Sequence, residues 1–131
     1  MVFDDLNALS EPIRVRLLLL LDKHELGVGE LSRILQLPQS TVSRHLKVLL
    51  TGGWVQRRSV STSSYFHMPI EFMTPASIRL WTVVKEQVNQ GAEFDEDTGR
   101  LEMVLSMRTP SDVGFFRREA SRWEAVRTDL F

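Results

Sequence analysis

Cysteine is absent from this 131-residue sequence. That absence removes disulfides, thiolate zinc sites, iron–sulfur ligation and any cysteine nucleophile. Histidine is scarce, with His24, His45 and His67 its only representatives. Long apolar runs are missing too: the longest is Leu17–Leu21, closed by Arg16 and Asp22. A membrane span needs about 20 such residues, so neither a transmembrane segment nor a secretory h-region is expected, and the chain reads as soluble and cytoplasmic. An excess of either charge is also lacking, with 16 Lys+Arg against 17 Asp+Glu. What is present is globular in kind: 43% hydrophobic and 25% charged residues of mixed sign. The length suits one domain, or one domain with an appendage, and buries a sizeable core without staples.

The charge is unevenly placed. Residues 28–67 carry Arg33, Arg44, Lys47, Arg57 and Arg58 against Glu30 alone, a balance of +4. The remainder holds 11 basic and 16 acidic residues, a balance of −5. A basic face on a near-neutral protein is a footprint of nucleic-acid binding, and chance clustering is its bland alternative.

Hydrophobic spacing supplies the elements. Val2, Phe3, Leu6 and Leu9 form one stripe of a short helix. Ser10-Glu11-Pro12 reads as a capped restart. From Ile13 to Leu21 the apolar positions are almost continuous, which predicts a central core helix ending over Asp22–Gly27. Gly27-Val28-Gly29-Glu30 resembles a capping box with glycine in the cap seat. Leu31, Ile34 and Leu35 give the next helix its inner face, Leu37-Pro38-Gln39 is a tight turn, and a helix from about Ser40 buries Val42, Leu46, Leu49 and Leu50 before Gly52-Gly53. Two short helices joined by such a turn make a helix-turn-helix.

Opposite that buried set, Gln39, Ser40, Ser43, Arg44 and Lys47 present hydroxyls, an amide and cations with no acid among them. Hydroxyls approach phosphate closely, and Gln and Arg reach base edges in a major groove. An ordinary solvated face usually mixes in Asp or Glu. Trp54–Arg58 and Tyr65–Met68, around polar Ser59–Ser64, predict a β-hairpin wing. Its arms are expected to bring Arg57 and Arg58 to the helix's side, along phosphates.

Leu9-Ser10-Glu11-Pro12-Ile13-Arg14, Val28-Gly29-Glu30-Leu31 and especially Gln39-Ser40-Thr41-Val42-Ser43-Arg44-His45-Leu46-Lys47-Val48-Leu49 resemble the ArsR/SmtB family of winged-helix repressors, over roughly residues 3–90. The resemblance implies a mainly α fold with a small β-hairpin wing, dimeric, carrying a C-terminal helical extension. It also implies a homodimeric repressor on a palindromic operator in double-stranded DNA, with recognition helices in successive major grooves about 34 Å apart. The implied DNA-binding set is Gln39, Ser40, Thr41, Ser43, Arg44, His45, Lys47, Arg57, Arg58 and Tyr65, with His45 either packing or touching phosphate. The implied dimer interface joins the first helix to the helix after the wing, through Phe3, Leu6, Leu9, Ile78, Trp81, Val84 and Val88. Two departures stand out: the wing tip Ser59–Ser64 lacks the usual glycine and extra basic residue, and Pro38 occupies a seat usually held by Ser or Thr.

Many such repressors release DNA on binding metal. Thiolate sites are excluded here, and the helix after the wing, about Pro75 to Gln90, contains no histidine for the other common site. His24, beside Glu25, reads as a surface residue, because one histidine does not make a ligand set. No metal, no cofactor and no catalytic arrangement is expected, and Gly27-Val28-Gly29 follows no strand that would make it a nucleotide loop. The effector, small molecule or metal, stays open.

The organisation expected is a winged helix-turn-helix and dimerisation domain at 1–90, an acidic connector at 91–99 holding Glu93, Asp95, Glu96 and Asp97, and a helical extension at 100–131. In the extension Leu101, Val104 and Leu105 precede a turn at Thr109-Pro110-Ser111, then Phe116, Ala120, Trp123 and Leu130 follow at helical spacing. Phe115-Phe116, Ala120, Trp123-Glu124 and Arg127 resemble the lead-in to an S-adenosylmethionine-dependent methyltransferase domain. The alternative function is therefore the regulatory front of such an enzyme, with DNA binding secondary and the chain cut short near Asp129-Leu130-Phe131.

Overall fold

A computed structural model describes residues 2–88 and 91–108. Those residues form α1 Val2–Ala8, α2 Pro12–Leu21, β1 Leu26–Gly27, α3 Val28–Leu35, α4 Gln39–Thr51, β2 Gln56–Val60, β3 Ser63–His67, a 3-10 turn at Ile70–Phe72, α5 Pro75–Val88 and α6 Ala92–Ser106. The fold is mainly helical with a small antiparallel sheet, a winged helix-turn-helix as the sequence leads one to expect.

The restart before α2 is capped one residue later than expected. Glu11, not Ser10, accepts from the Ile13 N–H at 3.4 Å, and Pro12 takes the first helical position. Ser10 instead donates its hydroxyl to the Asn7 carbonyl at the end of α1 (2.7 Å). Proline at the first helical position has no N–H to satisfy and a preset φ, which places the cap immediately before it. The leucine run of α2 is buried among its neighbours, with Leu17, Leu18 and Leu21 wholly inaccessible. Truncating one of these to alanine would cost about 2–5 kcal/mol.

Gly27 sits at the start of α3, and its N–H donates to Glu30 Oε1 (3.0 Å), the backbone half of a capping box. Glycine serves a second purpose there. A Cβ on Gly27 would lie 3.3 Å from the Ser64 carbonyl of the neighbouring strand. The helix-turn-helix turn follows: Gln36 adopts the left-handed conformation (φ 57°, ψ 47°), and Leu37-Pro38 leads into α4. Helix α4 stops at Gly52-Gly53, where Gly53 takes φ +79°, a conformation glycine adopts at no steric cost.

The sheet order is β1-β3-β2, all antiparallel. Strand β1, only two residues long, has no hydrophobic period to announce it, so Gly27-Val28-Gly29 lies at a strand-to-helix junction where no strand is expected. The wing is longer-armed than its polar tip suggests: Ser59 pairs with Ser64 and Val60 with Ser63, leaving Ser61-Thr62 as the turn, with Ser61 at φ 57°. Ladder hydrogen bonds come from backbone, so serines pair as well as apolar residues.

Residues 91–99, expected as a connector, form the cap and first half of α6. Gly91 (φ 112°) caps it, and Glu93 and Asp95 lie in its first turn, where negative charge complements the helix dipole. Phe94, Asp97, Leu101, Val104 and Leu105 share the inward stripe. Asp97, 5% exposed, is held by Arg16 at 3.0 and 2.9 Å and by Arg100 at 3.0 Å. An acid on an apolar stripe is tolerated when cations neutralise it on site. The later turn, Phe115-Phe116, Trp123 and the remainder of the expected extension lie outside the described residues. No described helix is long and apolar enough to cross a membrane.

Candidate nucleic-acid interface

The outer face of α4 is polar, open and free of acid. Gln39, Ser40, Ser43, Arg44 and Lys47 are exposed and Thr41 is half-buried, while Val42, Leu46 and Leu49 hold the helix to the core. No side chain caps the N-terminus of α4, where Pro38 occupies the cap seat, and its first turn carries no carboxylate. The helix dipole and peptide N–H groups therefore add to the positive field of Arg44 and Lys47 instead of being neutralised. Such a surface can hydrogen-bond both phosphate oxygens and base edges.

His45 faces the other way. It is half-buried, and its Nδ1 meets Arg14 Nη1 at 3.2 Å. The same guanidinium donates to the carbonyls of Ala8 (2.7 Å) and Asn7 (2.9 Å), the last turn of α1. Burial first, then the positive charge of Arg14, holds the His45 pKa below its ordinary 6.5. A neutral imidazole accepting at Nδ1 satisfies that geometry. Of the two roles left open for His45, packing is the one this contact describes.

The wing separates the two arginines that are adjacent in sequence. Consecutive strand residues project to opposite faces of a sheet, so Arg57 and Arg58 cannot share one. Arg57 is exposed. Arg58 lies on the face of Tyr65 and His67, where its Nε donates to Glu25 Oε2 (2.9 Å) and its Nη2 contacts Oε1. Glu25, side chain 1% exposed, also lies 3.3 Å from His67 Nδ1. Arg58 is thus an anchor of the wing to the segment before β1, held by a carboxylate and not open along its length as Arg57 is. Tyr65, its cross-strand partner, is half-buried. Nothing in the sequence pattern flags Glu25, because an acid following a histidine after a helix reads as surface.

The residues expected at a dimer interface also divide. Phe3 (73% exposed), Leu6 and Val88 are open, and Val84 is half-buried. Leu9, Ile78 and Trp81 are buried in the chain's own core. Exposed Val2 on α1 and Val83 on α5 extend the open apolar set. Among the described residues no three His, Asp or Glu side chains are grouped to hold a metal ion.

Residues 11–57 match the family model described as "Bacterial regulatory protein, arsR family". Among solved structures, HlyU from Vibrio cholerae is 27% identical, with 68% of this chain and 92% of that one covered at a TM-score of 0.59. A homodimeric winged helix-turn-helix DNA-binding domain from Mycobacterium bovis, described as a possible ArsR-family transcriptional regulator, is 25% identical over 67% of this chain and 78% of that one, at a TM-score of 0.57. NolR from Sinorhizobium fredii, 24% identical over 69% and 86% of the two chains with a TM-score of 0.59, shares the fold. No curated protein matches the sequence.

Proposed function

We propose that the chain, whose residues 11–57 match the arsR-family model, is a sequence-specific transcriptional repressor of that kind that binds a palindromic operator as a homodimer and is released by an effector. One observation carries the reading: α4 exposes Gln39, Ser40, Ser43, Arg44 and Lys47 with no acid on the helix, on a protein whose net charge is −1. A face chosen only for solubility needs no such segregation of sign. Gln39, Ser40, Ser43 and Arg44 read or register on the major groove. Thr41, Lys47 and Arg57 hold phosphates, and Arg58 keeps the wing in place behind them.

Homodimerisation is supported by the open apolar edge of α1 and α5, where Val2, Phe3, Leu6, Val83 and Val88 would leave water. Arg14 bonds the end of α1 and meets His45 of α4, so the proposed dimer helix and the recognition helix are physically joined. Two recognition helices held by one interface fix the half-site spacing at about one turn of DNA. The test is a gel-shift titration on the DNA upstream of its own gene. Wild type is expected to shift that fragment at concentrations that leave unrelated DNA free. Binding unchanged in Ser43→Ala with Arg44→Ala would contradict the assignment of α4.

A further inference from the structure

Beneath α6 lies a cleft of about 540 Å³, walled by α2, α5 and α6. We propose that this cleft binds an uncharged, largely apolar small molecule, and that α6 transmits its occupancy to the helix-turn-helix. The regulatory half of this proposal rests on the DNA-binding reading above; the binding half does not.

Volume, lining and charge all bear on the ligand. Small-molecule sites commonly enclose about 300–1,000 Å³. Leu19, Leu20, Phe94, Leu101 and Leu105 supply apolar wall from two directions. The buried acids at the cleft are already answered: Asp97 by Arg16 and Arg100, and Asp22, 2% exposed, by Lys85 at 3.1 Å. Hydrogen bonding to Asp97 raises the Arg16 pKa further, which favours the charged guanidinium. An ionic ligand would have to break one of these pairs or lie desolvated beside them, and either is costly. Lys23 and Glu102, both exposed, add one charge of each sign at the rim and favour neither. An uncharged apolar body meets no such penalty. None of the residues expected at the dimer interface lines the cleft.

The coupling is built from arginines. Arg16 Nη2 donates to the Leu35 carbonyl (3.2 Å) and Arg100 Nε to the Ile34 carbonyl, both at the C-terminal end of α3. Arg108, just past α6, donates to both carboxylate oxygens of Glu30 (3.0 and 2.9 Å) and to the Glu25 carbonyl (2.7 Å) at the other end. Helix α6 therefore grips both ends of α3, the helix that sets α4 against DNA. A ligand that moves α6 moves these bonds with it.

Three probes with one ring system and different charge test the ligand class: indole, indole-3-acetate and tryptamine, titrated into isotope-labelled full chain and followed by amide NMR shifts. Indole is expected to bind with a Kd on the order of 1 mM, as suits a fragment of its size. Its shifts should centre on Leu19, Phe94, Leu101 and Leu105, and it should bind about tenfold tighter than either charged analogue. Leu105→Trp, which fills the cleft from α6, should abolish those shifts; Leu19→Phe fills it from α2 and serves if the first variant fails to fold. Shifts that arise elsewhere, tighter binding of a charged analogue, or indole binding that survives the cleft-filling variant would each overturn the site. The coupling is read separately, as loss of the gel shift at saturating indole in wild type but not in the filled variant. Cleft binding with unchanged DNA affinity would overturn the coupling alone. Absence of any DNA binding would overturn the repressor reading and leave the NMR result standing.

Discussion

Arg58→Ala separates a structural arginine from a phosphate-binding one. Removing Arg58 takes its guanidinium away from the Glu25 carboxylate, which is 1% exposed and keeps His67 Nδ1 at 3.3 Å. Breaking one half of a buried ion pair typically costs about 3–5 kcal/mol, because the surviving charge stays desolvated. Arg58 keeps 29% of its side chain exposed, so water can enter the vacated space and the lower end, about 3 kcal/mol, is expected. In a domain of this size that corresponds to a fall in Tm of roughly 10 °C. Scanning calorimetry of the wild type, Arg58→Ala, Glu25→Gln and the double variant completes a double-mutant cycle. The singles should each destabilise, and the double should lose less than their sum, since no uncompensated charge remains. A Tm unchanged in Arg58→Ala, together with weakened DNA binding, would refute the anchoring role and restore the arginine to the phosphates.

Other consequences follow from single residues. His45, whose pKa is held below 6.5, takes up its proton in the unfolded chain first. Stability should therefore be fully present above pH 6.5 and decline as pH falls below it; urea titrations of His45→Gln should show a shallower decline than wild type over that range. Gln36 occupies the left-handed seat after α3 that glycine fills without strain, so Gln36→Gly should raise stability by about 0.5–1 kcal/mol, despite losing the Gln36 hydrogen bond to the Arg33 carbonyl. A lower denaturation midpoint in that variant would contradict the reading of strain. Asp97→Asn should lower Tm and increase amide exchange along α6, because Arg16 and Arg100 lose their shared carboxylate.

The sequence was most legible where period and punctuation agreed. The leucine run of α2, the Leu37-Pro38 turn and the Gly52-Gly53 stop each gave an element close to its observed place. Readings failed where one residue carries two signals. Asp97 counts toward an acidic stretch, yet it stands three residues after Phe94 and four before Leu101, on the same helical stripe. Its cations, Arg16 and Arg100, come from α2 and from α6 itself, and the first is too far away in sequence to be paired by inspection. Arg58 is obscured for a different reason: a run of charge along a strand does not show the period of two that sends Arg57 and Arg58 to opposite faces. Trp81 and Ile78 keep the helical spacing expected of an interface, but spacing does not say whether a stripe meets its own core or another copy.

The proposed hold of α4 on DNA through Arg44 and Lys47 is open to test in the salt dependence of operator binding, measured by fluorescence anisotropy from low to physiological salt. Wild type should give a straight line of log K against log salt with a steep negative slope. Lys47→Ala should reduce the slope by about one while leaving sequence preference intact, and Arg44→Ala should cost about 1–3 kcal/mol on the operator with relaxed preference. A flat salt dependence, or a slope and affinity indifferent to both variants, would contradict it.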